Sequence, residues 1–256
     1  MLRLATPVVL AELGWVTMGL VDTLMVGGLG PQAIGAVGIG TALFMGVAIF
    51  AMGLLLGLDT LVAQAWGAGR EDECHRWLLH GLVLAAALTT PVMLVLWRLS
   101  PALGAWGLDP AVLALLRPYL DALSRSVFPL LLYAAFRRYL QAMGIVRPVM
   151  VALAAANLVN LAANWMLIGG RLGAPALGVR GSAWATVLAR AGMAAVLLGV
   201  ILSRERGRRR GVFALPWRIE AAGLRRLVAL GLPAATQITL EVGVFAASTA
   251  LAGRLP

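Results

Sequence analysis

Seven apolar runs, each long enough to cross the hydrocarbon of a bilayer, constrain this 256-residue chain more than any motif does. A membrane-spanning helix needs roughly 20 predominantly apolar residues. The runs fall at about 5–27, 33–62, 77–97, 113–140, 149–169, 182–202 and 226–252, and they predict an all-α polytopic membrane protein. Composition agrees, with 61% hydrophobic and 12% charged residues and a mean hydropathy of +0.90. A soluble domain of this length has no core large enough to hide that much apolar surface. No charged n-region with a short apolar stretch and an A-x-A site opens the chain, so the first run is expected to be retained as a helix.

Gly and Pro punctuate the breaks between runs: "GGLGP", "GAGREDECHR", "SPALGAWGLDP", "GIVRP", "GGRLGAPALGVRG" and "SRERGRRRGVFALPWRIEAAGLRR". The fourth run is diluted by Asp121, Arg125, Arg137 and Arg138, and its ends are expected to project into water. The net charge of +10 comes entirely from arginine, which gathers at the ends of apolar runs. That distribution speaks for membrane topology and against nucleic acid as a partner. The last connector carries Arg204, Arg206, Arg208, Arg209, Arg210, Arg218, Arg225 and Arg226 against Glu205 and Glu220. Positive-inside asymmetry places it in the cytoplasm, together with Arg70, Arg76, Arg147 and the amino terminus with Arg3. An anionic-lipid or regulatory role is a second reading of that basic stretch.

Shifting the sequence by 226 positions lays the first run on the seventh. Leu4 then meets Leu230, Pro7 meets Pro233, Val16 meets Val242, Gly27 meets Gly253 and Leu29 meets Leu255. Six spans between the copies make this a parallel repeat, an organisation found in secondary transporters. The expected plan is a six-helix lobe over 1–202, a basic cytoplasmic linker over 203–225 and the first helix of an incomplete second lobe over 226–256. On this plan the chain is a fragment or a truncated product.

A carboxylate at the bilayer centre costs about 2.5–3.5 kcal/mol on insertion scales. Glu12 and Asp22 in the first run and Glu241 in the seventh therefore point to a cavity, a partner or an ion path, or else to a hydrogen-bonded structural carboxyl. Glu241 is the sole charge between Arg226 and Arg254. Asp59 lies near the end of its run, within reach of headgroups. In the fifth run, "NLVNLAANW" places Asn157, Asn160 and Asn164 on one helical face. Two readings stand: a neutral hydrogen-bond ladder between helices, or an oxygen-rich patch that with Asp22 holds a proton or Na+.

Other chemistry is not signalled. Cys74, His75 and His80 lack metal-ligand spacing and fall in what reads as a charged loop. With no lysine there is no Walker sequence, and neither G-x-S-x-G nor HExxH occurs. The chain reads as a conduit, not an enzyme, with no cofactor beyond a coupling ion.

Four stretches, "TPVVLAELGWVTMGLVDTLMVGGLGPQAIGAVGIG", "LDTLVAQAWGAGRED", "NLVNLAANWMLIGGRLGAPALGVRGSAWAT" and "LEVGVFAASTALAGRLP", taken in order resemble the multidrug and toxic compound extrusion (MATE) family. The resemblance implies a bacterial cytoplasmic-membrane antiporter of two six-helix lobes, exporting cationic or amphipathic organic compounds against inflowing H+ or Na+. It further implies that Asp22, followed by Thr23, matches the acidic residue of helix 1. Asn160 and Asn164 match the polar cluster of helix 5, and Glu241 the acidic residue of helix 7, a mark of the NorM-like branch. Pro7 matches a proline associated with bending of helix 1. Helices 8–12 are missing, and with them the second-lobe acidic partner expected for Glu241. A lipid-linked oligosaccharide flippase of related architecture would want a cationic cavity for its pyrophosphate, which the intramembrane acids oppose. A non-transporting fragment is the remaining alternative.

Overall fold

The computed structural model describes residues 2–205 and 219–252, with side chains over 13–105, 107–204 and 219–245. Nine α-helices account for nearly all of the described chain: α1 Leu2–Gly27, α2 Pro31–Leu54, α3 Gly57–Gly67, α4 Glu71–Ala102, α5 Pro110–Ser124, α6 Val127–Ala142, α7 Arg147–Gly169, α8 Val179–Glu205 and α9 Ala221–Ala252. Among the described residues, five segments are long and apolar enough to cross a membrane: Pro31–Gly67, Glu71–Ala105, Arg147–Gly169, Val179–Arg204 and Ala221–Phe245. The part of α1 whose side chains are described, Leu13–Gly27, is apolar but shorter.

Local chemistry sets the helix starts. Pro31, Pro110 and Pro148 sit in first turns, where a missing N–H costs nothing. Asp109 caps α5 by accepting from the Ala111 N–H at 2.8 Å. Glu71, Asp72 and Glu73 fill the first turn of α4, where acidic side chains complement the helix dipole. This corrects the expectation of a charged loop there: Cys74, His75 and His80 belong to α4 and are buried. The Cys74 thiol is directed at the Val62 carbonyl, 3.7 Å away in α3.

The second and fourth apolar runs are not single regular helices as expected. Each contains one tightened turn. At the α2–α3 joint, Leu56 donates to Gly53, Leu58 to Leu55 and Asp59 to Leu56, all i→i−3 bonds. At the α5–α6 joint, Arg125 donates to Ala122 and Ser126 to Leu123 in the same manner. The first joint coincides with a close approach of α9. A Cβ on Gly53 would lie 2.5 Å from Ala235 Cα, one on Gly57 the same distance from the Leu227 carbonyl oxygen, and one on Gly231 would overlap Leu54. Three glycines thus let α9 press against α2 and α3 backbone to backbone.

Arg138, expected at a watery helix end, reaches back from α6 to Asp59 in α3 at 3.2 Å, with the two side chains 28% and 38% exposed. The expected linker is shorter at both ends, since α8 runs to Glu205 and α9 starts at Ala221. The remaining linker arginines, Arg206 to Arg218, lie outside the described residues. α7 and α8 form a hairpin in which Gly181 sits against the Leu167 backbone, and α1 lies against α7.

Candidate functional site

Three helices bring buried polar side chains to one place inside the bundle. On α1, the buried positions Met18, Asp22 and Val26 recur every fourth residue, so Asp22 faces inward with only 6% of its surface exposed. On α7, Asn160 and Asn164 share a face and are fully buried. On α8, the buried Ser182, Thr186 and Arg190 recur with the same spacing.

These faces converge on the Asp22 carboxylate. Its Oδ1 accepts from Asn160 Nδ2 at 3.0 Å and from Asn164 Nδ2 at 2.7 Å. Its Oδ2 accepts from the Thr186 hydroxyl at 2.8 Å, whose other acceptor, the Ser182 carbonyl, is farther at 3.2 Å. Asn164 uses its second N–H on Asn160 Oδ1 at 3.1 Å, while Asn164 Oδ1 and Ser182 Oγ are buried without a partner. Among the described residues no ion pair reaches Asp22. Three donors from two helices stand in for the hydration a carboxylate loses on burial.

One wall of the site is a cavity of about 60 Å3, room for a few waters. Asp22, Thr186, Arg190, Trp15, Thr41 and Tyr119 line it. Thr41 and Tyr119 join their hydroxyls at 3.0 Å across α2 and α5. Arg190 is 4% exposed. Its Nη1 donates to Ser126 Oγ, and its guanidinium lies 4.5 Å from the Phe44 ring centroid and 5.7 Å from that of Trp15. Arg190 Nε has no partner.

Among the residues singled out from sequence, Asp22, Asn160 and Asn164 come together. Asn157 stays on the same face of α7 but serves the helix contact, donating to the Gly14 carbonyl of α1 and to Leu153, each at 3.0 Å. The Thr23 hydroxyl bonds back to the Gly19 carbonyl at 3.0 Å and does not join the cluster. Glu241 is exposed on α9, apart from the cavity. The side chains of Pro7 and Glu12 lie outside the described residues. Sequence reading passed over Thr186, Arg190, Ser126 and Tyr119. The signal for one of them was present, since Arg190 is a charge inside the sixth apolar run.

Residues 7–166 match the MatE family. Over 246 residues the chain is 32% identical to the multidrug resistance protein NorM of Vibrio cholerae, an alignment covering 96% of this chain and 54% of that one. It is 32% identical over 254 residues to a probable multidrug resistance protein NorM of Mesorhizobium japonicum, covering 98% and 54%. The fold is similar to that of a eukaryotic MATE transporter, with a TM-score of 0.86 at 22% identity over all of this chain and 56% of that one. It is also similar to a MOP superfamily transporter from Pyrococcus furiosus, with a TM-score of 0.82 at 22% identity over 95% and 53%. The chain spans about half the length of the curated relatives it matches.

Proposed function

The chain belongs to the MatE family, and from that membership together with the buried Asp22 cluster we propose that it serves a cation-coupled antiporter exporting cationic or amphipathic organic compounds such as drugs. The observation that carries this reading is the Asp22 carboxylate. It is buried in a bundle of apolar helices, held by neutral donors with no cation paired to it, and set on the wall of a cavity. Intramembrane carboxylates so placed mark ion or proton paths.

The exchange follows from charge. Asp22 takes up H+ or Na+ and is neutralised, and an organic cation competes for the same negative group, so occupancy by one excludes the other. Asn164 is suited to follow that change. Its amide now presents N–H to the carboxylate and leaves Oδ1 free. Turned over, it would offer oxygen to a carboxyl proton or to Na+, which prefers hard oxygen ligands. Rocking of this lobe against a second lobe would expose the cavity to alternate sides. Glu241, exposed on α9, would act toward that second lobe. A flippase would need Arg190 free for a pyrophosphate, whereas Ser126 and two aromatic rings occupy it. We place the protein in the bacterial cytoplasmic membrane with its amino terminus inside, on the arginine asymmetry of its connectors.

The test is gradient-driven transport of a fluorescent organic cation in vesicles carrying the protein. Asp22→Asn should reduce it at least tenfold, with Asp22→Glu in between. Undiminished transport by Asp22→Asn would sink the proposal.

A further inference from the structure

Away from the Asp22 cavity, the amino-terminal part of α4 and the start of α9 line a second one, an open cleft. It has a volume of about 310 Å3 and is lined by Glu73, Arg76, Trp77, His80, Glu220 and Arg226, with Gly223 at its edge. We propose that this cleft binds a phosphate-bearing anion through Arg76 and Arg226, and that a phospholipid headgroup at the cytoplasmic surface is its occupant.

The cleft is preorganised by His80, which is 4% exposed. The Arg76 carbonyl can only accept, so His80 Nδ1 donates to it at 2.7 Å. The Glu220 N–H can only donate, so His80 Nε2 accepts from it at 3.2 Å. Both ring nitrogens are thereby committed, in the neutral Nδ1–H form, to holding the entrance of α9 against α4. Gly223 permits the approach, since a Cβ there would lie 2.5 Å from His80 Nε2. Trp77 packs on His80 with centroids 5.6 Å apart, and the Arg226 guanidinium lies 5.9 Å from the Trp77 ring.

The charge balance favours an anion. Glu73 is engaged by Arg70 at 3.4 Å. Neither Arg76 nor Arg226 has an ion pair among the described residues. Against these stands the Glu220 carboxylate at the rim. Guanidinium groups match phosphate with two parallel N–H donors each. Basic pockets between membrane helices at the cytoplasmic side are where anionic headgroups bind, and a tryptophan at that depth suits the interface. The lipid assignment rests on the cytoplasmic placement of these helix ends proposed above. The phosphate chemistry does not, and neither depends on transport.

The experiment is native mass spectrometry of the protein extracted in mild detergent, titrated separately with cardiolipin, phosphatidylcholine and inorganic phosphate. Cardiolipin should be retained at least fivefold more than phosphatidylcholine, and retention should fall at least fivefold in Arg76→Gln/Arg226→Gln. Arg98→Gln, at the opposite end of α4, should leave it unchanged. His80→Gln should weaken it by a smaller factor. Millimolar inorganic phosphate displacing cardiolipin from the wild type, but binding the double variant weakly, would retain the anion site and assign it to a soluble phosphate. Equal retention of cardiolipin by the wild type and the double variant, with no phosphate binding by either, overturns the site.

Discussion

Thr186 on α8 closes around Asp22 the ring of donors that Asn160 and Asn164 begin on α7, so a carboxylate from α1 is shared by two other helices. A hydrogen bond to a charged group contributes about 1.5–3 kcal/mol. Thr186→Val, which keeps the shape and removes the donor, should destabilise the protein by about that amount in thermal unfolding. Thr186→Ser should recover most of the loss. Equal stability of the Val variant and the wild type would refute a load on this bond.

Arg190 is held by one hydroxyl and two ring faces, a combination suited to a flat guanidinium. A lysine there would bring a compact, strongly hydrated ammonium with three donors to the acceptor Ser126. Methionine would fill the stem volume with no charge to solvate. Arg190→Lys should therefore be less stable than Arg190→Met, by about 1 kcal/mol or more. Denaturant unfolding of the pair decides the order.

The packing of α9 on α2 makes a paired glycine prediction. Gly231→Ala forces the new methyl into Leu54 and should cost about 1–3 kcal/mol by overpacking. Gly243→Ala, on the same helix with nothing within 4 Å of the new methyl, should be neutral or stabilise by about 0.5–1 kcal/mol. Unfolding midpoints of the two variants should move in opposite directions or differ by several degrees.

Asp59 and Arg138 make a partly exposed pair at 3.2 Å. A double-mutant cycle over Asp59→Asn and Arg138→Gln should return about 1 kcal/mol or less, shrinking as salt is raised. A larger, salt-insensitive coupling would place this pair in a drier setting than its exposure indicates.

Asp22, Asn160 and Asn164 were legible in the sequence for a simple reason. Carboxylates and amides stand out in apolar runs, because the bilayer makes them costly. Arg190 was as conspicuous and was missed because the arginines were weighed as topology signals at run ends. Ser182 and Thr186 carry little signal, since a hydroxyl in a helix can satisfy itself on its own i−4 carbonyl, as Thr17, Thr23 and Thr236 do here. The five described segments long and apolar enough to cross a membrane were readable from length and polarity alone. The joint at Leu55 and Leu56 was not, because the glycine contacts beside it involve Gly231 and Ala235, some 180 residues away in sequence. The burial of Cys74 and His75 was hidden for a related reason: acidic residues that read as a loop in one dimension read equally well as the first turn of a helix.

Ser126 occupies two positions at once, since it donates its backbone N–H to Leu123 in the tightened turn between α5 and α6 and receives Arg190 on its hydroxyl. The arginine's anchor is therefore fixed to the joint between α5 and α6 itself. Any change of angle between α5 and α6 would then pull on the cation beside Asp22, gearing the bend of a helix directly to the electric field in the cavity.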